Sequence, residues 1–202
     1  MKVVNTILMI IGVIGILLFI GLIIGYFLYS LNPPLKEQMA FPPVTYESVQ
    51  SYDQKVETFK TEIKAAVVAK EEKIITLTIT EEEINSKVIE LSAEGKLPAT
   101  EMLINFKDEF CWVYAAFDTP GINAKTGIIA QTNVVDNDIK IIVADFHLGK
   151  LPLPNSVNEK VGNIVNIAIK MQDPTDDLPA IITNIEIEDG KLIIDVLTKV
   201  AD

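Results

Sequence analysis

The sequence predicts an α+β protein, with an N-terminal transmembrane helix followed by a curved antiparallel sheet packed on or wrapping helices. Three observations carry this. An apolar run from Ile7 to Tyr29 is interrupted only by glycines. Segments with apolar residues at helical spacing are interspersed with segments of two-residue period. The β segments follow one another closely, joined by turn dipeptides such as Asp189-Gly190, and short turns join antiparallel strands.

The apolar run comes first. At ~1.5 Å per residue it is long enough to cross a hydrocarbon core of ~30 Å. It ends in Tyr26-Phe27-Leu28-Tyr29, and bulky aromatics suit a membrane interface rather than a small-residue cleavage site. Residues 1–30 therefore read as an uncleaved signal anchor. Lys2 precedes the run and every acidic residue lies at Glu37 or later. Positive charge favours the cytoplasm, so the expected localisation is a single-pass cell-membrane protein with its C-terminal domain outside the cytoplasm. Gly21 and Gly25 form a small-xxx-small pair that would let two helices approach, which is compatible with a homodimer or an envelope protein partner.

Asn32-Pro33-Pro34 and Phe41-Pro42-Pro43 mark residues 31–44 as an extended linker, which proline would stiffen into a spacer. The domain is expected over 45–202. Its first element is a helix over 46–71, with Val49, Tyr52, Val56, Phe59, Ile63 and Ala66 on one face. That face either docks on the following domain or forms a short coiled-coil seam. A strand from Lys73 to Ile79 leads into Thr80-Glu81-Glu82-Glu83, a capping box that starts a helix running to about Gly95.

Strands are expected at Met102–Phe106, Phe110–Phe117, Gly127–Val135 and Asp138–Leu148, with turns at Thr119-Pro120-Gly121 and Asp136-Asn137. On the last of these strands Ile139, Ile141 and Val143 alternate with Ile142, Ala144 and Phe146, so both faces look covered. Ser156-Val157-Asn158-Glu159 reads as a second capping box. The helix after it carries Val161, Ile164, Val165, Ala168 and Met171 on one face. Ile181–Ile187 and Leu192–Val200 flank Asp189-Gly190 as a closing hairpin, with Ile185, Ile187, Leu192, Ile194 and Val196 on its buried face.

Composition narrows the function. The net charge is −11 and the chain has no arginine. Nucleic acid repels such a surface, and the guanidinium fork that clamps phosphates is missing. Cys111 is the only cysteine, which excludes an internal disulfide. His147 is the only histidine, with Asp145 two residues away. No Gly-x-Ser-x-Gly elbow, metal-spaced Cys/His cluster or phosphate-cradling glycine loop accompanies it, so no catalytic residue, metal or cofactor is expected. The acidic loop Asp173–Asp177 has turn chemistry and matches no calcium loop.

What remains is apolar surface. Phe106, Phe110, Trp112, Tyr114, Phe117 and Phe146 fall within one β region. They are core, or they line a groove that binds an acyl chain by area rather than charge.

Two stretches carry a resemblance. Leu77-Thr78-Ile79-Thr80-Glu81-Glu82-Glu83-Ile84-Asn85 resembles the strand-to-helix start of YpmS-like bacterial membrane-anchored proteins. Leu148-Gly149-Lys150-Leu151-Pro152-Leu153-Pro154 is similar to their later leucine-glycine-x-leucine-x-leucine-proline segment. The anchor, the size and the closing hairpin agree with that family. The resemblance implies no activity and no catalytic residue. It also implies similarity to tubular lipid-binding modules, in which a curved sheet wraps a long helix; the helix over 46–71 would be that helix or a lid. Two functional readings follow. One is a non-catalytic module, tethered outside the cytoplasm, that binds a lipid or other apolar ligand. The alternative is a cell-envelope scaffold acting through protein partners.

Overall fold

A computed structural model describes residues 19–21, 24–119, 122–135, 138–171 and 180–199 of the 202-residue chain. The fold is α+β, with helices and open antiparallel sheets. Most of the expected anchor, Ile7–Tyr29, lies outside the described residues, as do the turns at 120–121 and 136–137 and the acidic loop Asp173–Asp177. Residues 19–21 and 24–30 are helical. No helix among the described residues is long and apolar enough to cross a membrane.

A short 3-10 turn, Pro34–Gln38, precedes helix α1, Tyr46–Ala69. Thr45 caps α1 by accepting from the Ser48 amide. Strand β1, Ile74–Thr80, runs straight into helix α2, Glu81–Ala93. The Thr80 hydroxyl accepts from the Glu83 amide, while the Glu83 carboxylate accepts from the Thr80 amide. The expected capping box is present because both partners lie within one turn, and each satisfies an orphan amide.

Strands β2 (Glu101–Lys107), β3 (Phe110–Thr119), β4 (Ile122–Val135) and β5 (Asp138–Leu148) form a four-stranded sheet in that order. Helix α3, Ser156–Met171, follows. Strands β6 (Ala180–Glu188) and β7 (Lys191–Thr198) make the closing hairpin and join β1 in a three-stranded sheet, order β1-β7-β6. On that hairpin Ile185 opposes Ile194 and Ile187 opposes Leu192, so the expected apolar face is shared.

The core lies between α1 and the three-stranded sheet. Ile63 and Ala66 of α1 pack on Ile75, Ala180, Ile182 and Val196, with Val134 and Ile139 from the end of the β4–β5 hairpin. The apolar face of α1 is thereby docked rather than left as a seam. α1 also crosses α2. Ser51 donates to Glu83 at 2.6 Å, and Lys55 reaches both Glu83 oxygens at 2.7 and 2.8 Å.

Four expectations change. The linker is not a free spacer: Pro33 and Leu35 are buried and Leu35 is 2% exposed. The faces of β5 are not split as simple alternation predicts. The register slips between Ile129 and Ala130, so Ile128 opposes Phe146 while Ala130 opposes Val143. Ile128 and Ala130 share a face; the bulge therefore brings Phe146 onto the face of Val143 and Ile141. Finally, Ser156 is not an N-cap. It is already helical, and the Asn155 carbonyl accepts from the Asn158 amide at 3.0 Å. Helix α3 also turns away from its expected side. Asn158, Gly162 and Asn166 meet β5, and Ile164 is 66% exposed.

Candidate apolar face and its strap

Directly opposed residues point to the same side of a sheet. The four-stranded sheet therefore has two faces that can be read row by row. On one face the rows are Met102–Ala115–Thr126–Leu148, Ile104–Val113–Ile128–Phe146, and Phe106–Cys111–Ala130–Val143. These rows contain no ionisable group other than the Cys111 thiol. Burial pushes that thiol up to about 12, with the Glu81 carboxylate adding to the shift.

The helices reach this face from its edges, α2 along β2 and α3 along β5, with no helix laid across β3 and β4 among the described residues. Each helix seals an edge with one asparagine. Asn85 accepts from the Ile104 amide at 2.8 Å and donates to the Ile104 carbonyl at 2.6 Å. Asn166 accepts from the Ile141 amide at 2.7 Å and donates to the Ile141 carbonyl at 2.8 Å. Asn158 adds a bond to the Ala144 carbonyl at 2.9 Å. Next along β2, the Phe106 amide donates to Glu81 and the Phe106 carbonyl accepts from Gly190. Strand edges left bare recruit other strands; these are closed by side chains and, at the Phe106 carbonyl, by the Gly190 amide. Burial raises the Glu81 carboxyl above its usual range, against the bond from Phe106, and Asp189 pushes it the same way as burial.

The opposite face is covered by residues 32–40, which run over it as a strap. Tyr114 is 0% exposed beneath it. The Tyr114 hydroxyl lies 3.3 Å from Glu101 Oε2 and 3.4 Å from Asn32 Oδ1. Lys36 Nζ sits 4.1 Å from the centroid of the Tyr114 ring and donates to Glu101 at 2.6 Å. Burial pulls the Lys36 ammonium down, but its bonds to Glu101 and Tyr114 outweigh this and raise it. Burial likewise raises the Tyr114 hydroxyl. Leu35 fills a notch over Gly127, where a Cβ would overlap its side chain. Asn105 fastens the far end of the strap, accepting from the Ala40 amide at 2.9 Å and donating to the Ala40 carbonyl at 3.0 Å.

The six aromatics singled out in the sequence are thus divided. Phe106 and Phe146 lie on the uncharged face; Phe117, in the same alternation as Val113 and Ala115, joins them. Phe110, Trp112 and Tyr114 lie on the strap face. Phe106 is 3% exposed and belongs to the packed interior; Phe110, Trp112, Phe117 and Phe146 are half-buried. The Trp112 indole N–H is buried without an acceptor among the described residues.

His147 and Asp145 form a pair at 2.9 Å on the strap face, both partly exposed. No group of three or more His, Cys, Asp or Glu side chains able to hold a metal occurs among the described residues.

Sequence reasoning missed the residues that organise the site: Leu35, Gly127, Gly149, Asn85, Asn105 and Asn166. One signal was present, because a glycine inside a strand often marks close approach of another chain segment, as Gly127 does. No protein-family profile, curated protein or solved structure matches this chain.

Proposed function

We propose that this chain is a non-catalytic module, tethered to the cell membrane by its N-terminal segment and held outside the cytoplasm, that binds an acyl chain or another apolar ligand. The observation that carries the reading is the uncharged face of the four-stranded sheet, where the rows Met102–Ala115–Thr126–Leu148 and Ile104–Val113–Ile128–Phe146 are built from apolar and small side chains and continue into the packed row Phe106–Cys111–Ala130–Val143. A ligand held there is bound by area. At roughly 25 cal/mol per Å² of apolar surface, a few hundred Å² of contact supplies several kcal/mol without any charge. The missing arginines fit a ligand whose bound part carries no phosphate or carboxylate.

In this reading the bulge at Ile129–Ala130 sets Phe146, Val143 and Ile128 on one side of the sheet. The long helix α1 belongs to the other sheet, so the ligand takes the place on the four-stranded sheet that a wrapped helix would occupy.

The test is photo-crosslinking of the full chain in phospholipid vesicles that contain a lipid with a diazirine on its acyl chain. Label on the peptides carrying Val113, Ile128 and Phe146 supports the reading. Label confined to residues before Leu31 contradicts it.

A scaffold role is the second reading. The observation favouring it is the outer side of α3, where Ile164 and Ile167 are 66% and 56% exposed. Crosslinking in membranes through cysteines placed at those two positions would trap a partner; a chain that stays solitary would remove it.

A further inference from the structure

The point where the N-terminal segment meets the domain is built as a fixed joint. The Lys150 amide donates to the Leu28 carbonyl at 2.7 Å, and the neighbouring Gly149 amide donates to the Lys125 carbonyl at 2.6 Å. Gly149 has φ +57, and a Cβ there would overlap the carbonyl oxygens of Leu28 and Tyr29. Only glycine meets both demands, the left-handed backbone and the close approach. Four residues later Pro33 is buried, and Leu35 occupies the notch over Gly127. The chain therefore has no slack between its helical lead and the sheet, whereas an ordinary tether spans many free residues.

The residues before the joint are apolar and face outward. Phe19, Ile24, Tyr26 and Phe27 are 63%, 53%, 58% and 63% exposed, while Leu28 and Tyr29 are half-buried against the domain.

We propose that this joint holds the domain in a single orientation on a lipid bilayer, with the sheet end formed by Lys125 and Leu148–Lys150 against the membrane surface. The proposal rests on the reading that the N-terminal apolar segment lies in the bilayer. Charge agrees with it. The joint end carries Lys36, Lys125 and Lys150 together with Glu37, Glu101 and Asp118, a balanced set. The opposite end opens as a cleft of about 660 Å³ whose lining includes Asp108, Glu109, Glu186, Glu188 and Asp189; Lys107 pairs with Asp108 and Lys191 with Glu188, which leaves the set net negative. An anionic leaflet repels those carboxylates. From the Met102–Leu148 row to the Lys107–Phe110 row is five residues, roughly 17 Å at ~3.3 Å each, so the acidic cleft stands clear of the headgroups. The orientation also sets the uncharged face with its Met102–Leu148 row next to the bilayer, so an acyl chain would pass from membrane to sheet without crossing water.

The experiment uses the full chain in vesicles of phosphatidylglycerol and phosphatidylethanolamine that contain a headgroup-nitroxide lipid. A fluorophore is attached at Lys150→Cys in one sample and at Asp189→Cys in another. Strong quenching at position 150 and its absence at 189 is the expected result, and Gly149→Val should abolish the difference. Equal quenching at both sites of the otherwise unaltered chain overturns the orientation, whatever the Gly149 variant does. A parallel alkaline carbonate wash separates the two claims. Release of the chain from the vesicles overturns the membrane reading, and the orientation with it. Retention with equal quenching overturns the orientation alone.

Discussion

Asn85 and Asn166 sit on different helices and clasp opposite edges of the same sheet, each taking both the amide and the carbonyl of one strand residue. Each also donates to the carbonyl four residues before it in its own helix, Glu81 for Asn85 and Gly162 for Asn166, at 2.7 and 2.8 Å. The side-chain amide replaces the strand that the edge lacks. Asn105 repeats the device on the strap at Ala40.

Removing either edge clasp should cost stability unequally. Asn85 is 1% exposed, and Asn85→Leu leaves the Ile104 amide without a partner, while the Ile104 carbonyl keeps its bond from the Asn105 side chain at 3.0 Å. About 1–3 kcal/mol for the orphaned amide is expected. Asn166 is half-buried, and water can reach its partners; Asn166→Leu should cost less and instead expose the β5 edge to association. Urea unfolding gives the first comparison and light scattering the second.

Two acids in the first turn of α2 should respond to pH in opposite ways. Burial pushes the Glu83 carboxyl up, but Lys55, Ser51 and the Thr80 amide together overcome it and hold Glu83 below its usual 4.5. Its stabilisation is present above that value and is lost as pH falls through the depressed one. Glu83→Gln should therefore destabilise the protein at pH 7 by about 2 kcal/mol, the scale of bonds to a charged group, with the gap closing in acid. Glu81 is raised above 4.5, burial being the largest cause. Its contribution is full below 4.5 and is lost as pH rises through the raised value. Glu81→Gln should stabilise the protein at pH 7, and that gain should vanish in acid. Thermal melts from pH 3 to 8 check both signs.

The strap should release when its notch is filled. Gly127→Ala places a methyl group against Leu35, and the two cannot both stay. Residues 31–44 should then become open to proteolysis. Leu35→Ala alone should cost about 2–4 kcal/mol as a buried large-to-small change. Combining the two should restore part of the protection, so the pair is expected to be non-additive. Limited proteolysis of the three variants is the check.

Cys111 should be inert in the native state. With its thiol pushed up to about 12, thiolate is scarce at pH 8 and access is blocked. Thiol reagents should modify it only as the sheet unfolds, which leaves an introduced surface cysteine as the single labelling site.

Local chemistry was legible in the sequence. Thr80 and Glu83 lie three residues apart, so their reciprocal bonds could be read from the pattern alone. Asp189-Gly190 likewise fixed the closing hairpin and its Ile185–Ile194 pairing. What depended on distant partners was hidden. Pro33 and Pro34 read the same whether the segment is free or docked, because proline specifies backbone shape and not what the shape rests on. Alternation alone puts Phe146 on the wrong side of β5, because a bulge shifts it by one residue without any residue type announcing it. Asn85 and Asn166 are poor helix formers placed mid-helix, and that oddity was the sequence's trace of the edge clasps. The aromatic cluster was visible as a group, but Tyr114 and Phe146 lie on opposite faces, and only the strand register divides them.

The central claim is that the uncharged face holds an apolar ligand, and the most direct measurement is the content of the isolated domain. A soluble piece should begin at Leu31, since a later start would remove Pro33 and Leu35 from beneath the sheet. Purified after secretion, extracted with organic solvent and analysed by mass spectrometry, it should release an acyl-chain lipid in near-equimolar amount, and Ile128→Asp should abolish this. Folded protein that repeatedly yields no lipid and takes up no fluorescent fatty acid would contradict the account.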